Sequence, residues 1–214
     1  MKTIYFISTN IDKIKETVDI LNQNLSEKKI DSYVVKAHEL KIDELQSVDF
    51  EKIVKDKAIK AYEILQRPLL VEHTGLIIPD FGNLPGGLTG VFWESIEKRL
   101  EETAKNAGIM YSEIELNMEV CKVFCEYFAG KETIAVTWLA YCDGKQIKTL
   151  SGSTNGKIPS LPGKSSRFQW DPIFYLEEEK ATYSDISQEN KNKISMRRKA
   201  LDKFIKELEE STDE

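Results

Sequence analysis

Three observations predict an α/β protein with an elongated mixed sheet and flanking helices. The apolar run at residues 3–8 is followed by apolar residues at helical spacing over 11–25, which is typical of a strand and then a helix. The same order recurs as far as a third strand at residues 69–72. Later apolar runs are joined by Ala129-Gly130-Lys131 and by Asp143-Gly144, and an Asp-Gly pair strongly indicates a hairpin. The second half of the sheet is therefore expected to be antiparallel.

The individual elements follow from apolar spacing and from the Gly, Pro and Asn residues at their boundaries. The expected strands are residues 3–8, 32–37, 69–72, 117–128, 133–142 and 145–151, and the expected helices are residues 11–25, 47–66, 91–106 and 188–209. Residues 1–214 would form a single domain of two lobes, the strand-rich one at about 112–155. Loops after the first and third strands are expected to face a central cleft, where α/β proteins bind ligands.

Composition excludes several classes of protein. A chain of 214 residues with 41% hydrophobic and 31% charged residues is that of a globular protein with a sizeable core. The net charge of -6 argues against a nucleic-acid partner, and no apolar run is long enough to span a membrane. The N-terminal residues lack a signal-peptide pattern and the three cysteines are an odd number, so we expect reduced thiols and a cytoplasmic location. Cys121 and Cys125 lack a second pair of zinc ligands and are expected to be buried side chains.

Polar residues at the ends of the first and third predicted strands are candidates for chemistry. Ser8-Thr9-Asn10 stand at a helix N-terminus with Lys13 one turn inside, and free N–H groups, a helix dipole and an ammonium group suit a phosphate. Plain capping with a solvated Lys13 explains the same residues, and is favoured for this motif alone. Glu72-His73 precede a turn expected at Thr74-Gly75, and they are either a catalytic pair or simply the end of a strand.

The Gly/Pro-rich loop at residues 152–174 contains Phe168, Trp170 and Asp171 near its end. Aromatic rings beside a fixed aspartate suit a flat ligand ring, because aromatic side chains stack on it and the carboxylate accepts from its N–H groups. An aromatic anchor that packs the loop onto the core explains this pattern equally well.

Other charged residues are ambiguous. Glu44 and Lys57 are compatible with ordinary surface positions. The cations Lys191 and Arg197, beside Ser195, could clamp phosphates or could be solvated.

Taken together, the motifs resemble the inosine triphosphate pyrophosphatase family, whose members hydrolyse non-standard purine triphosphates. The motifs occur in the order and spacing of that family over nearly the whole chain. They are Ser8-Thr9-Asn10-x-x-Lys13, Glu72 with Thr74-Gly75-Leu76, Leu84-Pro85-Gly86, Phe168-x-Trp170-Asp171-Pro172-x-Phe174 and Ser195-x-Arg197-x-x-Ala200-Leu201.

The resemblance implies a homodimer with a central nucleotide cleft and a Mg²⁺-dependent cut between the α and β phosphates, with preference for 6-oxo purines. It also implies a role for each matching residue. Thr9, Asn10 and Lys13 would hold the triphosphate with Lys57 and Lys191, Glu44 and Glu72 would hold the metal, and Phe168, Trp170, Asp171, Ser195 and Arg197 would line the base pocket.

Several positions depart from the pattern of the family. His73 stands where the family has an aspartate that serves the metal and the attacking water, and imidazole nitrogen is a poor ligand for Mg²⁺. Met196 replaces a histidine, and a thioether cannot donate a hydrogen bond to a base oxygen. Gln169 replaces a glycine, and Thr89-Gly90 fall where a basic residue is usual. These departures predict that binding is retained while hydrolysis is weakened.

Three hypotheses follow. In the first, the protein binds an inosine-type triphosphate such as dITP or ITP, hydrolyses it poorly, and acts as a nucleotide sensor for an effector protein. In the second, it is an active Mg²⁺-dependent pyrophosphatase that converts (d)ITP or XTP to the monophosphate, with His73 as base and Glu44 and Glu72 on the metal. In the third, it is a scaffold without a nucleotide role.

Overall fold

The computed structural model describes residues 2–165 and 168–210, which fall into two compact units. Within these residues, the first unit comprises the chain up to Thr74, Val136–Ser153 and the chain from Asn192. The second unit comprises Gly75–Ala135 and Thr154–Lys191. In the part of the chain described, no helix is both long and apolar enough to cross a membrane.

The first unit contains the alternating strands and helices that the sequence predicts. Its elements include β1 (Lys2–Ile7), α1 (Ile11–Glu27), β2 (Tyr33–His38), α2 (Phe50–Leu65), the first part of β3 (Leu69–Ile78), parts of β5 (Glu132–Cys142) and β6 (Ile147–Lys157), and α6 (Met196–Glu210). The strand order is β2-β1-β3-β5-β6, and β1 runs parallel to β2 and β3, with Phe6 opposite Ala37 and Leu70.

Helices cover both faces of this sheet, which explains why consecutive residues such as Leu69, Leu70 and Val71 of β3 are all buried. Successive side chains of a strand point to opposite faces, so Ile4 and Phe6 pack in one core cluster with Phe204 of α6. Ile7 points the other way and packs with Ala58 of α2.

In the second unit, two helices lie beside short strand pairings. Its helices are α3 (Thr89–Asn106) and α4 (Glu113–Phe128), and Trp93 stacks on Phe124 with 4.9 Å between ring centroids. The short strands β4 (Leu84–Pro85), β7 (Tyr175–Leu176) and β8 (Ala181–Thr182) complete it; β4 pairs with β3, and β7 lies between β6 and β8. Helix α5 (Gln188–Ile194) begins in this unit.

The predicted strand at residues 117–128 is wrong, because this segment belongs to helix α4. Val, Phe and Tyr, which are common in this segment, are residue types that favour strands. The buried side chains follow helical spacing instead, and Ser112 and Glu115 form a capping box at the helix start. The buried residues of this helix are Asn117, Val120, Cys121, Phe124 and Cys125.

Other boundaries also differ from the prediction. Strand β3 does not turn at Thr74-Gly75 but continues to Ile78, and the buried hydroxyl of Thr89 accepts from the Leu76 N–H at 2.8 Å. The last predicted helix is interrupted at Ser195, between α5 and α6. The expectation of a β5–β6 hairpin at Asp143-Gly144 is confirmed, as is that of buried free cysteines.

Candidate functional site

The start of helix α1 presents main-chain groups near solvent. Asn10 is the N-cap residue, and its side chain accepts from the Lys13 N–H at 2.9 Å, while its own N–H donates to the Ser8 hydroxyl at 3.1 Å. Thr9 and Asn10 are exposed. Capping therefore does occur here, and it leaves the positive end of the helix dipole accessible to an anion.

Lys13 is partly buried and paired, so it does not extend freely into solvent. Its side chain is 28% exposed, and its Nζ lies 3.4 Å from Glu72 Oε1. Burial lowers the pKa of Lys13, Glu72 opposes this effect, and the cations Arg197 and Lys57 add to it. The first half of β3 thus brings Glu72 to the first turn of α1.

Arg197 pairs with two buried carboxylates. Its Nε and Nη2 donate to Glu72 Oε2 and Oε1 at 2.9 and 3.0 Å, and its Nη1 donates to Glu16 Oε2 at 2.7 Å. Burial alone would raise the pKa of Glu72, but the charges of Arg197, Lys13 and Lys57 hold it at about 2. Burial also opposes the charge on Arg197, yet Glu72 and Glu16 raise its pKa above the ordinary value.

A second group of charges surrounds Glu44. Lys57 forms an ion pair with Glu44 Oε1 and also donates to the Glu72 carbonyl at 3.4 Å. His73 Nδ1 lies 3.5 Å from Glu44 Oε2, and its ring packs against Phe50 with 5.8 Å between centroids. The hydrogen bond from His73 lowers the pKa of Glu44; burial opposes this effect, and Lys57 adds to it.

The carboxylates predicted to hold Mg²⁺ do not fit that ion as they are arranged. Both oxygens of Glu72 contact Arg197, and the two oxygens of Glu44 face Lys57 and His73. Mg²⁺ requires near-octahedral oxygen ligands. Over residues 2–165 and 168–210, no group of three or more His, Cys, Asp or Glu side chains is placed to hold a metal ion.

The second unit contains three of the predicted base-binding residues, Phe168, Trp170 and Asp171, together with Lys191, whereas Ser195 and Arg197 belong to the first unit. Lys191 is 3% exposed and forms a buried ion pair with Asp171. Its ammonium lies 4.2 Å from the centroid of the Phe168 ring and 5.3 Å from that of Tyr183, within range of cation–π attraction. Trp170 meets Phe174 edge to face at 6.0 Å between centroids. Lys191, predicted to bind phosphate, therefore lies among residues predicted to bind the base.

Ser195 and its neighbours have structural contacts in the first unit. Ser195 is buried, and its hydroxyl accepts from the Arg198 N–H at 3.2 Å, so it caps α6. Met196 is buried, and Arg198 pairs with Asp202 at the surface. Sequence reasoning passed over Glu16, because nothing in the local pattern of α1 marks it as the partner of Arg197.

Comparisons with known proteins agree with the order of the motifs. A family model described as the Ham1 family matches residues 4–207. An inosine triphosphate pyrophosphatase of Scheffersomyces stipitis is 32% identical over 209 residues, which is 95% of this chain and 96% of that protein. A dITP/XTP pyrophosphatase of Saccharolobus solfataricus is 35% identical over 170 residues, which is 79% and 78% of the two chains.

The fold also has solved relatives. The Ham1 protein of Staphylococcus aureus superposes with a TM-score of 0.71 at 21% identity, over 98% of this chain and 100% of that one. This likeness establishes a mixed α/β fold. The resemblance predicted from the ordered motifs is thereby confirmed, and the chain belongs to the Ham1 family.

Proposed function

We propose that this protein binds a non-standard purine nucleoside triphosphate of the dITP or ITP class and hydrolyses it poorly. The relatives named above are pyrophosphatases for inosine triphosphate and for dITP/XTP, which supports a triphosphate ligand. The proposal for weak turnover rests on residues of this chain.

The start of α1 and the lysines near it are the proposed contacts for phosphate. The start of α1 supplies the positive end of a helix dipole, and Lys13 and Lys57 add ammonium groups close to Glu72. Thr9 and Asn10 are exposed at the same helix start. These groups suit several negative charges, and more so a triphosphate than a monophosphate.

The aromatic rings beside Asp171 are the proposed contacts for the base. Phe168 and Trp170 are half-buried aromatic rings, and Asp171 and Lys191 are a buried pair of opposite charges. Rings supply stacking, and the charged pair supplies both an acceptor and a donor for the edge of a purine.

One observation carries the proposal of weak hydrolysis: both candidate metal-binding carboxylates are already paired with cations. A hard metal ion would have to displace Arg197 from Glu72 and Lys57 from Glu44. A protein that binds a nucleotide but hydrolyses it slowly can signal the presence of that nucleotide to another molecule. The proposal therefore includes a role as a nucleotide sensor, as a cytoplasmic homodimer that contacts an effector protein.

Two assays on the same preparation test this function. Pyrophosphate release from dITP is measured with Mg²⁺, and dITP binding is measured by calorimetry. Binding with turnover near background supports the proposal. Efficient turnover overturns the proposal. Absence of both binding and turnover favours the third hypothesis, a scaffold without a nucleotide role.

An active pyrophosphatase is the second candidate. The observation in its favour is the 3.5 Å contact between His73 and Glu44, because a general base is commonly oriented by a neighbouring carboxylate. A neutral imidazole at this position could accept a proton from water. Turnover by the wild-type protein that is lost in His73→Asn, with dITP binding kept, would favour this candidate.

A further inference from the structure

Helix α4 contacts the main chain of the segment that carries the predicted base-binding rings. Asn117 of this helix is 6% exposed, and its Nδ2 donates to the Gln169 carbonyl at 3.2 Å. Cys121, one turn further along, directs its thiol to the same oxygen at 3.6 Å. Burial raises the pKa of Cys121, so it stays a thiol that can donate. The Gln169 carbonyl therefore accepts from two side chains of α4.

Trp93 of α3 determines which way the Asn117 amide faces. The Trp93 indole Nε1 donates to Asn117 Oδ1 at 2.9 Å. An indole N–H can only donate, so Asn117 must turn its oxygen toward Trp93 and its amino group toward Gln169. Trp93 is fully buried and stacked on Phe124, which holds this donor in place.

The Gln169 carbonyl belongs to the central peptide of a tight turn. The Asp171 N–H donates to the Phe168 carbonyl at 3.3 Å, which closes a turn over residues 168–171. Trp170 has φ -105 and ψ 4, as expected for the third residue of a type I turn. Rotation of the peptide between Gln169 and Trp170 would convert the turn to type II and would require a positive φ at Trp170. The direction of this carbonyl thus sets the direction of the Trp170 side chain.

We infer that Asn117 is a positioning residue for base recognition, which fixes the Gln169 carbonyl and thereby the orientation of Phe168 and Trp170. The inference rests on the proposed function for its ligand, since that proposal assigns the two rings to the base. That Asn117 orders the turn over residues 168–171 follows from the contacts alone and does not depend on the ligand.

Hydrogen exchange tests the hold on the turn without any ligand. Asn117→Asp keeps the shape of the side chain but removes its donor, and Asn117→Ala removes the donor without adding a charge. Both variants are expected to exchange the Asp171 and Ile173 amides about fivefold faster, because each loses the hydrogen bond that holds the Gln169 carbonyl. Unchanged exchange in both variants overturns the inference.

Calorimetry with dITP and with inorganic tripolyphosphate tests the consequence for recognition. Both variants are expected to bind dITP about tenfold more weakly, because a displaced ring loses its stacking on the base. Binding of tripolyphosphate should not change, because it carries no base. Equal losses for both ligands would indicate general damage and would overturn the inference. Asn106→Asp, the same change at the exposed end of α3, should alter neither affinity.

The two measurements separate this inference from the proposed function. If the wild-type protein does not bind dITP, the proposed function fails, and exchange alone decides whether Asn117 holds the turn. If the wild-type protein binds dITP and the variants exchange faster with unchanged affinity, the proposed function stands and the role of Asn117 in recognition is wrong.

Discussion

Arg197 contacts both carboxylate oxygens of Glu72, at 2.9 and 3.0 Å, from inside the first unit. Its remaining nitrogen reaches Glu16 at 2.7 Å, so one buried guanidinium balances two buried carboxylates. Planar, two-point contacts of this kind are the strong form of a charged hydrogen bond. The pair therefore has consequences for stability, for its pH dependence and for the metal chemistry of the site.

Removal of Arg197 is expected to destabilise the protein severely. Arg197→Ala leaves Glu72 and Glu16 buried without their cation, and a broken buried pair costs about 3–5 kcal/mol of unfolding free energy. Urea denaturation measures this loss. Arg198→Ala is the matched control, because Arg198 pairs with Asp202 at the surface and should change the unfolding free energy by less than about 1 kcal/mol. Similar losses in the two variants would contradict the structural role of the buried pair.

Stability is expected to fall in acid through Glu72. Its pKa in the folded protein is about 2, below the ordinary value of 4.5. The unfolded chain therefore binds this proton more tightly, so the contribution of Glu72 is fully present above pH 4.5 and is lost as the pH falls toward 2. The unfolding free energy of Glu72→Gln should depend less steeply on pH across this window. Parallel curves for the wild type and the variant would show that Glu72 is not the group that titrates.

His73→Asp is expected to raise Mg²⁺-dependent pyrophosphate release from dITP by about tenfold or more, equal to about 1.4 kcal/mol off the barrier. An aspartate would supply a hard oxygen ligand and a negative charge beside Glu44 and Glu72. His73→Asn is the control, because asparagine has nearly the size of aspartate but no charge, and this variant should show no gain in pyrophosphate release. A His73→Asp protein that folds and binds dITP without any gain would move the defect to other departures, such as Met196 or Gly90.

Lys13→Ala is expected to weaken dITP binding more than dIMP binding. A lysine that contacts the polyphosphate interacts with more charge in the triphosphate, and the loss should shrink at high salt as the charges are screened. Lys15→Ala provides the control, since Lys15 is exposed two residues along the same helix. Equal losses for dITP and dIMP would mean that Lys13 does not distinguish the polyphosphate.

Local sequence was sufficient to predict strand β1, helix α1 and the β5–β6 hairpin. The Asn10 cap and the apolar spacing of α1 lie within a few residues of one another, so their pattern is readable without the fold. The same holds for Asp143, whose side chain accepts from the Lys145 and Gln146 N–H groups in the hairpin turn. The ordered motifs were likewise sufficient to indicate the Ham1 family.

Helix α4 was missed even though its signal is local. Ser112 and Glu115 form a capping box that sequence reasoning could have found, and the helical spacing from Asn117 to Cys125 agrees with it. Val, Phe and Tyr are also common in strands, so residue type alone does not identify this helix. The contacts of Asn117 and Cys121 with Gln169 are made from two successive turns of the helix.

The sequence by itself determined the order of the elements at the start of the chain, the buried cysteines and the family. Only the tertiary structure decided which charges neutralise one another. Glu16 and Arg197 are 181 positions apart in the chain, and Glu72 and Arg197 are 125 apart. Such pairs leave no periodic trace in the sequence, because a charged side chain is compatible with solvent or with a buried partner. Packing of α1 and α6 on one face of the sheet removes these side chains from water, and a buried charge is stable only beside its opposite.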